Sequence, residues 1–201
     1  MSGVVRDVLC RSEPVIHHTV VGSPWRGEAE DFVRQAFARR YGARISAFAP
    51  NLMALERDGG MVAVAGWRCA GDERLFLESY LDVPVNAAVA WLAGQPVRRS
   101  RIVEVGNLAS TRAGGSVDVI LALARHLDRL GYEWVVFTAT EELIGIFRKL
   151  GLSLLALASA DPARLPEPVD DWGSYYDNRP VVVAGRIRLA LARGQRHGVA
   201  A

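Results

Sequence analysis

Glu104 is the residue whose neighbours best equip it to move a proton. It stands in Ile102-Val103-Glu104-Val105-Gly106-Asn107-Leu108, a run that is mostly apolar around it. Burial among such neighbours disfavours the charged carboxylate and raises its pKa toward the range a general base uses. A solvated or arginine-paired glutamate is the plainer alternative. Glu78 stands in a second apolar run, Leu75-Phe76-Leu77-Glu78-Ser79-Tyr80-Leu81. If the two carboxylates shared one cavity, one pKa would rise further; for Glu78 too, pairing with an arginine is the alternative. Arg68 follows Ala65-Gly66-Trp67, and its planar fork suits a substrate carboxylate. Downstream, Ser110-Thr111-Arg112-Ala113-Gly114-Gly115-Ser116 leads into a long periodic segment. Glycines at a helix start let backbone N–H groups approach an anion, and the helix dipole and Arg112 add positive potential, so a phosphate is the natural ligand. No spacing of His, Cys, Asp or Glu suggests a metal site.

These residues need elements to hold them. Pro24 and the acidic Glu28, Glu30 and Asp31 open a helix whose stripe is Ala29, Phe32, Val33, Ala36 and Phe37, ending near Arg40. Leu52–Glu56 and Met61–Trp67 flank Arg57-Asp58-Gly59-Gly60 and predict a hairpin. Arg74–Tyr80 reads as a third strand and Val85–Leu92 as a short helix. Ile102–Leu108 is a strand, and by alternation Glu104 shares a face with Ile102 and Gly106. Ser116–Leu130 is a helix closed by Gly131, Trp134–Ala139 a buried strand, Glu141–Leu150 a helix closed by Gly151, and Leu152–Ala158 a strand. Asp161–Asp170 is a loop with three prolines. Tyr175–Tyr176 and Val181–Ile187 read as one more strand. Residues 1–24 are expected as a lead-in, 25–193 as one domain, and 194–201 as a frayed tail. A mixed, mostly antiparallel sheet with helices on both faces follows, an α/β fold.

Three resemblances rest on particular segments. The unit Arg101–Leu152 resembles the GNAT superfamily of acyltransferases, which place an R-x-x-G-x-G/A turn after the fourth strand and end a later helix in aromatic-x-x-x-G-F. Arg112, Gly115 and Phe147–Leu152 match; Val117 stands where the turn has Gly or Ala. That departure weakens the grip expected on the CoA pyrophosphate and leaves room for an acyl carrier protein. The chain is also similar to acyl-homoserine-lactone synthases, through Arg34, Phe37, Arg39 or Arg40 and Gly42, then Gly66-Trp67-Arg68, then Glu104 to Leu108. Asn107 replaces an arginine of that family, and its acidic pair around residues 45–51 is absent, which argues against lactone formation. The broadest resemblance is to the thermostable hemolysin family. It is carried by Ala49-Pro50-Asn51-Leu52-Met53, Ala65–Arg68, Leu75–Leu81, Ile102–Ala109, Trp134–Thr140 and Trp172-Gly173-Ser174-Tyr175-Tyr176.

These resemblances imply a GNAT fold and an N-acyltransferase that moves a fatty or polyketide acyl group from a CoA or carrier-protein thioester to a small amine such as an amino acid. They place the donor at Asn107, Leu108, Ala109, Arg112, Gly114, Gly115 and Ser116, with a backbone N–H near Leu108–Ala109 polarising the thioester. They suggest Glu104 as the base and Tyr176 as a proton donor to the leaving thiolate. Phe37, Trp67, Arg68, Glu78 and Trp172 are the candidate substrate contacts. Core packing is the competing role for the aromatic residues.

Composition narrows the alternatives. The chain has 201 residues, half of them apolar, and a net charge of +2. That balance argues for neither nucleic acid nor stable membrane insertion. Lys149 is the only lysine beside many arginines. Cys10 and Cys69 do not form a disulfide framework, no secretory h-region is visible, and a cytoplasmic protein with reduced thiols is expected. A directly membrane-lytic protein and a non-catalytic GNAT-like binding module are the competing functions.

Overall fold

A computed structural model describes residues 14–111, 115–149, 151–165 and 169–196. Cys10, Arg112, Gly114, Leu150 and the last five residues lie outside these. Seven strands form one sheet in the order β1-β2-β3-β4-β5-β7-β6. They are β1 (Val15–Val20), β2 (Asn51–Arg57), β3 (Gly60–Cys69), β4 (Ile102–Ser110), β5 (Trp134–Ala139), β6 (Leu155–Ser159) and β7 (Val181–Arg186). Every neighbouring pair is antiparallel except β4 and β5. The helices are α1 (Arg26–Tyr41), α2 (Val85–Ala93), α3 (Gly115–Arg129), α4 (Glu141–Lys149) and α5 (Ile187–Arg196).

Alternation along the strands sorts the core into two layers. On one face, Leu52, Ala54 and Val64 pack with Ala29 and Val33 of α1, while Ile102, Val136 and Ala184 pack with Val85 and Val89 of α2. On the other, Met53, Ala63, Ala65 and Val103 pack with Val119, Leu123 and Leu127 of α3 and with Ile187 of α5. Phe137 and Val183 meet Phe147 of α4. This is the GNAT-type arrangement expected from the sequence.

Three local expectations are corrected. Val15–Val20, inside the segment expected as a lead-in, forms the edge strand β1 and pairs with Asn51–Glu56. Arg74–Tyr80 is not a strand; Phe76–Tyr80 is a 3-10 helix. Its alternating Leu75 and Leu77 are buried, but its backbone donors go to carboxylates instead of a neighbouring strand. Tyr175 likewise sits in a 3-10 turn, Tyr175–Asn178, and the chain after β7 winds into α5 across the expected tail boundary at Arg193.

The parallel pair β4–β5 shapes the site. Its register runs only from Ile102↔Trp134 to Glu104↔Val136. Beyond that, β4 continues to Ser110 and β5 to Ala139 without pairing, so the two strands part.

Candidate active site

A cavity of about 800 Å³ opens where β4 and β5 part. Glu104, Phe76, Tyr80, Trp172 and Tyr176 line it on the α1–α2 face, and Val105, Leu123, Leu127, Val135, Phe137 and Ile187 line it on the α3–α5 face. The cavity therefore passes through the sheet.

Glu104 is 8% exposed in its wall. One carboxylate oxygen accepts the Phe76 N–H at 2.9 Å and the other the Leu77 N–H at 3.1 Å. Arg68 stands directly opposite on β3, with its Nε 3.7 Å from the carboxylate. Burial pushes the Glu104 pKa up, and Arg68 and the two N–H donors oppose the rise without cancelling it. The result is a carboxyl held in place by two backbone donors and poised above the ordinary glutamate range.

Arg68 lines the same cavity. Its contacts with Glu73 and Glu104 are both 3.7 Å, beyond hydrogen-bond length. A guanidinium so placed retains donors for a carboxylate beside the acid.

Glu78 is not brought to this cavity. Its carboxylate turns to Arg99 at 2.5 and 2.6 Å and accepts the N–H groups of Leu75 and Val85. The Arg99 pair and these bonds outweigh burial and hold its pKa down at about 2. Glu78 and Glu104 thus clasp the start of one 3-10 helix from two sides. Trp67 is also corrected. Alternation turns it away from Arg68 to the α3 face, where its ring meets His18, His126 and Tyr132.

An aromatic wall closes the α1–α2 side. Trp172 contacts Phe76, Tyr175 and Tyr176, and Phe37 contacts Tyr41 and Tyr175. Tyr176 and Tyr80 share a hydroxyl–hydroxyl bond of 2.5 Å, and burial raises the pKa of both phenols, which keeps them protonated. The wall is fastened to the end of α1. Arg44 N–H donates to Asp171 O, Ser174 N–H donates to Tyr41 O, and the Arg44 and Asp171 side chains pair at 3.0 Å. Gly173 lies between these ties at φ +52, where a Cβ would fall 1.9 Å from Tyr41 O. The Trp-Gly-Ser-Tyr-Tyr run carried this signal, because a glycine between two bulky anchors marks a tight backbone approach. Arg40 and Glu142 form an ion pair that ties α1 to α4 at the cavity rim.

The end of β4 is bulged. Val64 faces Ala109 and Gly66 faces Gly106, so Asn107 and Leu108 together oppose Ala65. Asn107 adopts φ +49, a conformation asparagine tolerates. Its Oδ1 accepts the Ala49 N–H at 2.9 Å, and a Cβ on Gly66 would come within 2.9 Å of that oxygen. Asn107, Leu108, Ala109 and Ser116 line the cavity. Gly115 starts α3, buried, and a Cβ there would fall 2.5 Å from Ser110 Oγ, which would have to move. Among the described residues no group of three or more His, Cys, Asp or Glu could hold a metal ion, and no helix is long and apolar enough to cross a membrane.

Comparison with known proteins agrees with this architecture. The family described as thermostable hemolysin matches residues 20–191. No curated protein sequence matches. Among solved structures, the AHL synthase LasI superposes with a TM-score of 0.60 at 15% identity, covering 90% of this chain and 95% of that one. The CoA-dependent acyl-homoserine lactone synthase MesI gives 0.58 at 18% identity, covering 93% and 97%. FeeM, an N-acyl amino acid synthase from uncultured soil microbes, gives 0.59 at 12% identity, covering 90% and 96%.

Proposed function

The chain belongs to the thermostable hemolysin family, and from that premise we propose that it is an N-acyltransferase, moving an acyl group from a CoA or acyl-carrier-protein thioester to a small amine. One observation carries this most: a buried carboxyl with a raised pKa, Glu104, in the wall of a largely apolar cavity that crosses the sheet. The named activities of LasI, MesI and FeeM support the same chemistry on the same fold.

The acyl thioester lies across the parting of β4 and β5. Its carbonyl oxygen meets a backbone N–H of the bulge near Leu108–Ala109, and its phosphate sits toward the start of α3. The amine gives its proton to Glu104 as its nitrogen bonds to the carbonyl carbon. Collapse of the tetrahedral species breaks the C–S bond and Tyr176 gives its proton to the departing sulfur; Glu104 then releases the amine's proton and Tyr176 regains one from solvent, so amine and thioester become amide and thiol with both groups restored. An amino acid suits the acceptor position, because its carboxylate would meet Arg68 while its amine meets Glu104. Such donors favour a cytoplasmic site for the reaction. Asn107 serves the donor indirectly, by fixing the bulge.

Purified protein incubated with acyl-CoA or acyl carrier protein is expected to release thiol only when an amine is added. Thiol release at the no-enzyme rate across chain lengths and amines would contradict the proposal.

A further inference from the structure

The cavity continues behind β4 as an apolar arm, and its far end is built from the C-terminal helix. Ser116, Ile120, Leu123, Ala124 and Leu127 all line it, one stripe of α3 at helical spacing. The Ser116 end faces the phosphate; from Ile120, one turn on, to Leu127 is 7 residues, a run of about 10 Å at the helical rise. Leu127 and Ile187 are fully buried at its end, and Ala190 of α5 lines the same space, half-buried and carrying only a methyl group. Leu189, the residue before Ala190 on that helix, is 53% exposed and does not line the cavity.

We propose that α5, through Ile187 and Ala190, sets the length of acyl chain this cavity accepts. This rests on the acyl-transfer reading for the identity of the ligand. An extended chain of single bonds advances about 1.2 Å per bond, as the extended polypeptide does, so the arm matches roughly 8 carbons. Up to that length each added methylene buries apolar surface and gains about fourfold in affinity. Beyond it the chain meets Leu127 and Ile187 in a close-packed core with no room to yield. Ala190 is where bulk would enter the arm with least disturbance to the core.

The test is the affinity of the full chain for non-hydrolysable acyl-pantetheine amides from acetyl to hexadecanoyl. This headgroup is common to both donors. In the wild type, affinity is expected to climb with length and break at about 8 carbons. Ala190→Leu should move the break about two to three carbons shorter, with a loss of roughly tenfold or more for the longest chains. Ile187→Ala should move it longer, and Ile187→Val should do so by less if the alanine variant is poorly folded. Leu189→Ala should leave it in place. A break common to all variants, no break in the wild type, or no binding at any length would overturn the assignment. The acyl-transfer reading fails separately: a break that shifts as expected in a protein that never acylates an amine would keep α5 as the ruler and remove the reaction.

Discussion

At the scale of the residue, two glutamates in similar apolar runs meet opposite fates. Partners decide it. Glu104 keeps only a distant arginine and two N–H donors, and burial wins; Glu78 has Arg99 within hydrogen-bond reach, and its pKa falls to about 2. The first difference predicts activity. A base must be deprotonated to act, so kcat/KM should fall as pH drops through the raised Glu104 pKa, above the ordinary 4.5. Glu104→Gln should abolish that limb and lower kcat by roughly 10²–10⁴, measured as a pH–rate profile. The second difference predicts stability. A depressed carboxyl stabilises the fold above 4.5, and the contribution fades as pH falls toward 2. Glu78→Gln should therefore lower the melting temperature at neutral pH, at a cost of about 2 kcal/mol, less than a fully buried pair because Arg99 is half-exposed. The gap to wild type should narrow on acidification; a gap independent of pH would refute the assignment. The sequence displayed the environment of both glutamates. It did not display Arg99, 21 positions from Glu78, which the fold delivers.

At the scale of the element, the informative features are places where regular structure stops. The pattern of Arg74–Tyr80 favours a strand, yet the carboxylates that take its N–H groups turn it into a 3-10 helix, one of them long-range. Gly173 and Asn107 are single positions that hold whole segments. Gly173→Ala would need a left-handed φ from an L-residue and a Cβ inside Tyr41 O. It should detach the Trp172–Tyr176 segment from α1, seen as a changed tryptophan fluorescence and a fall in activity larger than the fall in melting temperature explains. Asn107→Gly keeps the backbone freedom and loses the bond to Ala49; Asn107→Ala loses both. Activity is expected to decline in the order wild type, glycine variant, alanine variant. Equal activity in the two variants would mean that the backbone conformation at Asn107 is irrelevant. By contrast, β2, β3, β4, β5, α3 and α4 were legible, because each is a periodic run bounded by glycines or turn residues. β1 was not. It is an edge strand with a mixed face, exposed at Val15, Ile16 and Val20, and only its partner β2 defines it.

At the scale of the whole molecule, the candidate site lies where the sheet fails to stay together. The strand order and the early end of β4–β5 pairing open a passage through the sheet, and Glu104 stands at the last paired position. No periodicity announces such a parting; Glu104 and Arg68 were legible from their neighbours and chemistry, their link to Trp172–Tyr176 came into view through a resemblance, and the fold explains why they belong together. The central claim is that this passage carries an acyl thioester to an amine beside Glu104. The most direct measurement is the mass of the product. Wild-type protein, an acyl thioester and an isotopically labelled amino acid should yield a species whose mass equals the free acid plus the labelled amino acid less water, and Glu104→Gln should yield it at least about a hundredfold more slowly. A labelled product formed equally fast by the variant, or the free acid as the only product of the wild type, would contradict the account.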